Sequence, residues 1–77
     1  MRAYPVSEPM VQRLINDFQY HPAVEDQQQR YERIRSDAQQ LALLIVGHTP
    51  PGREQAVALT KLEEAVMWAN AAIARNE

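Results

Sequence analysis

Two clusters in this 77-residue chain carry side chains suited to holding a ligand. The first is Tyr20-His21, followed by Arg30-Tyr31-Glu32-Arg33-Ile34-Arg35. The second is Met67-Trp68-Ala69-Asn70 with Arg75 beyond it. Guanidinium groups grip phosphate oxygens in bidentate fashion, and aromatic faces stack on bases, so both clusters have groups that can hold a nucleotide-like ligand. Each also has a plainer reading, which the residues alone favour. Arg33 and Asp37 stand four residues apart and Glu32 lies beside them, so the arginines can form a solvated, self-paired face. Tyr20 and His21 can cap the core at a corner between helices. Arg75 is a favourable cation at a helix end even with no ligand. For Met67 and Trp68 an oligomer surface comes first, since Trp and Met are enriched at interfaces, and base stacking by Trp68 comes second.

Catalytic chemistry finds little to use. The chain has no cysteine, and its two histidines, His21 and His48, are far apart in sequence. A thiolate metal site is therefore excluded and a structural metal is not expected. Gly47 and Gly52 are the only glycines and form no phosphate-binding loop. Glu63 and Glu64 are adjacent on a predicted helix, where side chains diverge by about 100°, so they are not a paired acid and base. Lys61 offers Glu64 an i,i+3 partner instead. No enzyme is expected, and no cofactor.

The elements that must position these residues are helices. From Thr49 the stretch TPPGREQAVALTKLEEAVMWANAAIARNE predicts one long helix over 50–76, with Thr49 as N-cap and Pro50 and Pro51 in its first turn. Leu59, Leu62, Val66, Ala69 and Ile73 recur at steps of three and four and make one apolar stripe. A second helix is predicted over 25–47, started by Glu25 and Asp26 and stopped by Gly47. Its stripe is Tyr31, Ile34, Ala38, Leu41 and Ile45, widened by Leu44 and Val46. The short GHTPP connection makes these two an antiparallel hairpin. A short N-terminal helix over 7–19 has Ser7 as N-cap and a face of Met10, Val11, Leu14, Ile15 and Phe18 that must dock on something. Residues 1–6 are predicted extended, since Pro5 disfavours helix at Tyr4.

Seventy-seven residues are one domain, here all-α, and two or three helices give a thin core. With no disulfide available, self-association into a compact homo-oligomer is the expected remedy. A net charge of −2, with Lys61 the only lysine, argues against a DNA or RNA polymer as partner. A few arginines gathered from several subunits can still bind a small anion. The N-terminal MRAYPVSEP has no signal-peptide h-region, and LALLIV and AVMWANAAIA are too short to span a bilayer. No membrane partner is expected, and a cytoplasmic protein is.

Three strings, Phe18-x-Tyr20-His21-Pro22, Arg30-Tyr31-Glu32-x-Ile34-Arg35 and the whole run from Thr49 to Glu77, closely resemble the phage anti-CBASS cyclic-nucleotide sponges. Those are related to the Thoeris anti-defence sponges. The resemblance spans about Phe18 to Glu77; the first ~17 residues add nothing to it. It implies a homo-oligomer, typically a hexamer, of helical hairpins with a short N-terminal helix. It also implies capture of cyclic dinucleotides and, at a separate site, cyclic trinucleotides, held without cleavage in the cytoplasm of an infected bacterial cell. CBASS effectors then go without their messenger. By the same resemblance Tyr20 stacks on a base, Arg35 contacts phosphate and Arg75 serves the second site. His21, Arg30 and Asn70 line pockets. The alternatives are a sponge for cyclic ADP-ribose isomers of Thoeris signalling, and a purely structural helical oligomer.

Overall fold

The computed structural model describes residues 3–77, all of whose regular structure is helical. The extended reading of residues 1–6 falls outside the described residues at Met1 and Arg2, while residues 3–7 precede the first helix. Helix α1 spans Glu8–Phe18, α2 spans Gln27–His48 and α3 spans Arg53–Asn76.

Ser7 caps α1 as its residue type dictates: its Oγ accepts a hydrogen bond from the Met10 amide at 3.3 Å, with Pro9 in the first turn. The start of α2 is secured differently from the expectation. Asp26 stands at the N-cap without a side-chain cap bond, and Glu25 takes a left-handed φ of 53° in the turn before it. Gln27 fastens the turn instead. Its Oε1 accepts from the Val24 amide at 3.0 Å, while its own amide donates to the Val24 carbonyl at 3.0 Å. The first bond matches the glutamine half of a capping box, and the second is a backbone i,i+3 turn bond.

The connection between α2 and α3 also departs from the sequence reading. Gly47 does not end α2, which continues through His48, and no glycine of the described residues sits in the left-handed region. Thr49 closes α2 rather than opening α3: its Oγ1 donates to the Ile45 carbonyl at 2.7 Å. His48 Nδ1 lies 2.8 Å from the Leu44 carbonyl. Two side chains thus satisfy carbonyls of the last turn that a left-handed glycine would otherwise serve. Pro50 and Pro51 remain in the loop, and α3 begins at Arg53 behind Gly52. Gln55 reaches back from α3 to Thr49, donating to its carbonyl and its Oγ1 at 3.1 and 3.0 Å.

Helices α2 and α3 pack along one another. Contacts from Gln27 and Arg30 at the start of α2 to Glu77 just past the end of α3 fix the pair as antiparallel. The α3 side of the seam is the expected stripe, with Leu59, Leu62, Val66, Ala69 and Ile73 all half-buried. On α2 the half-buried positions are Tyr31, Ile34, Ala38, Ala42 and Ile45. Leu41 is exposed and Ala42 takes its place, because a smaller side chain lets the helix axes approach more closely.

The single chain is strongly under-packed. Among the described residues no apolar side chain is buried; Gln27, 6% exposed, is the buried residue. The molecule measures 50 × 41 × 13 Å and has a radius of gyration of 17.6 Å, against roughly 11–12 Å for a compact domain of this length. It exposes 6723 Å², about 1,900 Å² above the roughly 4,800 Å² of a compact 8.8 kDa protein. One hairpin is a slab one helix thick.

Candidate functional site

The open end of the hairpin gathers polar groups from all three helices. Asn16 Nδ2 of α1 donates to the Arg75 carbonyl of α3 at 3.1 Å. Asp17 Oδ1 lies 3.6 Å from Arg75 Nε, while its other oxygen lies 3.5 Å from Arg13. His21 Nε2 stands 2.8 Å from the Asn16 carbonyl, which holds the corner between α1 and α2 closed. Next to this, Arg30 clasps Glu77 with both terminal nitrogens, Nη1 donating to Oε2 at 2.7 Å and Nη2 to Oε1. Gln27 Nε2 adds a 3.2 Å bond to the same carboxylate. Arg30 Nε also sits 3.2 Å from Asp26, a contact without hydrogen-bond alignment. Hydrogen bonds from Arg30 first, and then Gln27, hold the Glu77 carboxyl down from its ordinary 4.5 to about 2. The Glu77 bond in turn drives Arg30 still further into its cationic form.

The candidate ligand residues therefore fall into separate places. His21, Arg30 and Arg75 are brought together at the open end, through Asn16, Asp17 and Glu77. Arg30 has its charge matched there before any ligand arrives. Arg75 is exposed, and its guanidinium carbon lies 5.9 Å from the centre of the Trp68 ring, within cation–π range. These two, with Met67 and Ala71, line a shallow concavity of about 160 Å³. Trp68 itself is 66% exposed, off the seam as its spacing predicts. Asn70 is half-buried on α3, and its Oδ1 is without a partner among the described residues.

Tyr20 and Arg35 take no part in the polar contacts of that end. Tyr20 projects from the corner beyond α1, 83% exposed, with a free ring face. Arg35 borders a longer open groove of about 620 Å³ along the hairpin. Ala38, Gln39, Ala42, Leu43 and Val46 of α2 and Leu59, Leu62, Glu63 and Val66 of α3 form the rest of its wall. Tyr20 is not among them. The arginines of RYERIR differ sharply: Arg33 Nε donates to Asp37 at 2.8 Å, and Arg30 is spent on Glu77. Arg35 alone of the three meets no carboxylate among the described residues.

Chemically the arrangement offers cations and ring faces to a ligand. No nucleophile is poised against a base, and no three metal-ligating side chains cluster among the described residues. Asn16, Asp17 and Glu77 were not singled out by the sequence. The partners of Asn16 and Glu77 are 47 to 59 residues away, where no local spacing signals them, while Asp17 has a local mark only in Arg13 four residues before it.

A sequence profile described as "Acb2/Tad1, hairpin domain" matches residues 10–74. The chain belongs to the Acb2/Tad1 hairpin family. This is the anti-CBASS and anti-Thoeris sponge family, and membership brings a cyclic-nucleotide sponge role in anti-defence. The matched segment takes in all but the first two residues of α1, the corner at Tyr20 and the whole hairpin to Ala74. It begins earlier than Phe18, where the sequence resemblance starts, and stops one residue before Arg75. Neither the curated proteins nor the solved structures contain a match to the chain.

Proposed function

We propose that this Acb2/Tad1-family chain sequesters cyclic oligonucleotide second messengers, cyclic dinucleotides and cyclic trinucleotides, without cleaving them, and so blocks CBASS antiviral signalling in the infected cell. The observation that carries this reading is the unpaired Arg35. Two of the three RYERIR arginines are neutralised internally, and the third is left facing an open groove. An arginine without a carboxylate is the one able to take a phosphate at no cost in broken ion pairs.

Tyr20 supplies the stacking face and Arg35 the phosphate contact of the dinucleotide site; Arg75, with Trp68 beside it, supplies the trinucleotide site. His21, Arg30 and Asn70 take supporting places, with Arg30 acting through its hold on Glu77. Tyr20 does not line the groove that Arg35 borders, which supports pockets formed between subunits of a homo-oligomer, a hexamer by family resemblance. A slab 13 Å thick is too thin to enclose a drug-sized ligand by itself. Among the described residues no helix is long and apolar enough to cross a membrane, in keeping with action in the bacterial cytoplasm.

Titration calorimetry with 3′,3′-cyclic GMP-AMP, a cyclic triadenylate, a cyclic ADP-ribose isomer and a linear dinucleotide tests the reading. Saturable heats for the two cyclic oligonucleotides and none for the linear control are expected. Binding of the ADP-ribose compound alone would move the chain to the Thoeris side of its family. Silence throughout would leave a structural oligomer.

A further inference from the structure

Helix α1 leaves most of its apolar face uncovered by its own hairpin. Asn16 and Asp17 make the contacts to Arg75. Of the apolar face, Val11 is half-buried, while Met10, Leu14, Ile15 and Phe18 are exposed, Phe18 at 85%. Amphipathic helices in folded proteins turn the apolar side inward, because burying it is what holds a helix of three turns together. An apolar stripe held outward by polar tethers is therefore arranged for a surface that the single chain does not supply.

The groove along α2 and α3 is such a surface. It is apolar over most of its wall, and the small side chains of Ala38 and Ala42 deepen it between Leu43, Val46 and Leu62. From Arg35 to Val46 it runs about 16 Å along α2, and the 11 residues of α1 make a helix of about 16 Å. Glu63 borders the groove and Arg13 flanks the stripe on α1, so these two can pair, which leaves Arg35 at the groove's end to the phosphate. The surplus of about 1,900 Å² per chain is more than twice the roughly 800 Å² that one partner buries in a standard interface.

We propose that α1 of one copy lies with its Leu14, Ile15 and Phe18 stripe in the α2–α3 groove of a second copy. The Asn16 and Asp17 tethers to Arg75 hold the helix in the pose that presents this stripe. An anionic membrane is a poorer occupant, since α1 carries Glu8 and Asp17 against Arg13 alone. The pairing rests on the homo-oligomer reading above and not on the identity of the ligand.

The cysteine-free chain makes the test clean. Ile15→Cys is combined in turn with Ala38→Cys, Leu43→Cys and Val46→Cys in the full chain, oxidised, and run on a non-reducing gel. At least one pair should give covalent dimers and higher multiples. Bands at single-chain mass in all three would overturn the pairing. In parallel, light scattering on Phe18→Asp should show association weakened by about tenfold or more, with helicity by circular dichroism unchanged. An assembly as tight as that of the unaltered chain would overturn the α1 pairing yet leave the oligomer intact. An unaltered chain that is monomeric would remove both. Co-sedimentation of the chain with phosphatidylglycerol vesicles, lost in Phe18→Asp, would assign the stripe to lipid and also overturn the proposal.

Discussion

Helices α2 and α3 meet through apolar stripes and expose their charges, whereas α1 meets the hairpin through Asn16 and Asp17 and exposes most of its apolar stripe. The first contact is a fold completing itself. The second is a fold left open, with the energy of burial still to be gained from another surface. The same contrast separates the two groups of candidate ligand residues. At the open end Arg30 and Glu77 satisfy one another, while Tyr20 and Arg35 stand free and Arg75, in a looser contact with Asp17, stays open beside Trp68. A side chain that is already satisfied holds shape, and one that is left unsatisfied is available for binding.

Substitutions can break that contrast in order of size. Leu62→Asp places a charge on the half-buried seam and should cost at least about 2 kcal/mol of hairpin stability. Circular dichroism should then show a large loss of helicity and of the thermal transition. Phe18→Asp, by contrast, should leave helicity alone and act on assembly, which separates a contact within the chain from one between copies. Tyr20→Ala and Arg35→Ala should each weaken cyclic dinucleotide binding by roughly tenfold to a hundredfold, as stacking and phosphate contacts do elsewhere. Their assembly by light scattering should be unchanged; normal binding by both variants would put the site elsewhere.

The smallest effect belongs to the Arg30–Glu77 clasp. The folded carboxyl is held at about 2, below its ordinary 4.5, so its contribution is fully present above 4.5 and is lost as pH falls from there through about 2. An NMR titration of the Glu77 side chain should give a midpoint far below 4.5, and Arg30→Gln should return it towards that value. A midpoint near 4.5 in the unaltered chain would mean that the clasp is not populated in solution. Both groups are solvent-accessible, so the effect on overall stability is expected to be small.

Local rules made much of the fold legible. Ser7 with Pro9 two residues on specifies a helix start, and the Leu59 to Ile73 spacing specifies the seam stripe, which is half-buried; both are where the sequence puts them. The α2–α3 connection was misread because Thr49 before two prolines fits either side of the loop. What decided it was the Ile45 carbonyl, a free acceptor in the last turn of α2, within reach of the Thr49 hydroxyl. Gly47 permits a left-handed stop without requiring one, and here the helix runs on. Among the site residues, the exposure of Trp68 followed from its position off the stripe, whereas Tyr20, which the corner position suggested as a lid on the core, is 83% exposed. The internal pairing of Arg33 followed from Asp37 four residues on. The neutralisation of Arg30 by Glu77 could not be read, because 47 residues separate them and only the packed hairpin brings them together.

The central claim is that the chain captures a cyclic nucleotide and returns it unaltered. It is tested most directly by saturating the protein with 3′,3′-cyclic GMP-AMP, removing free ligand, denaturing the complex and weighing what is released by mass spectrometry. The account predicts stoichiometric release of the intact cyclic dinucleotide after prolonged incubation. Release of a linear or hydrolysed product, or retention of no ligand at all, would contradict it.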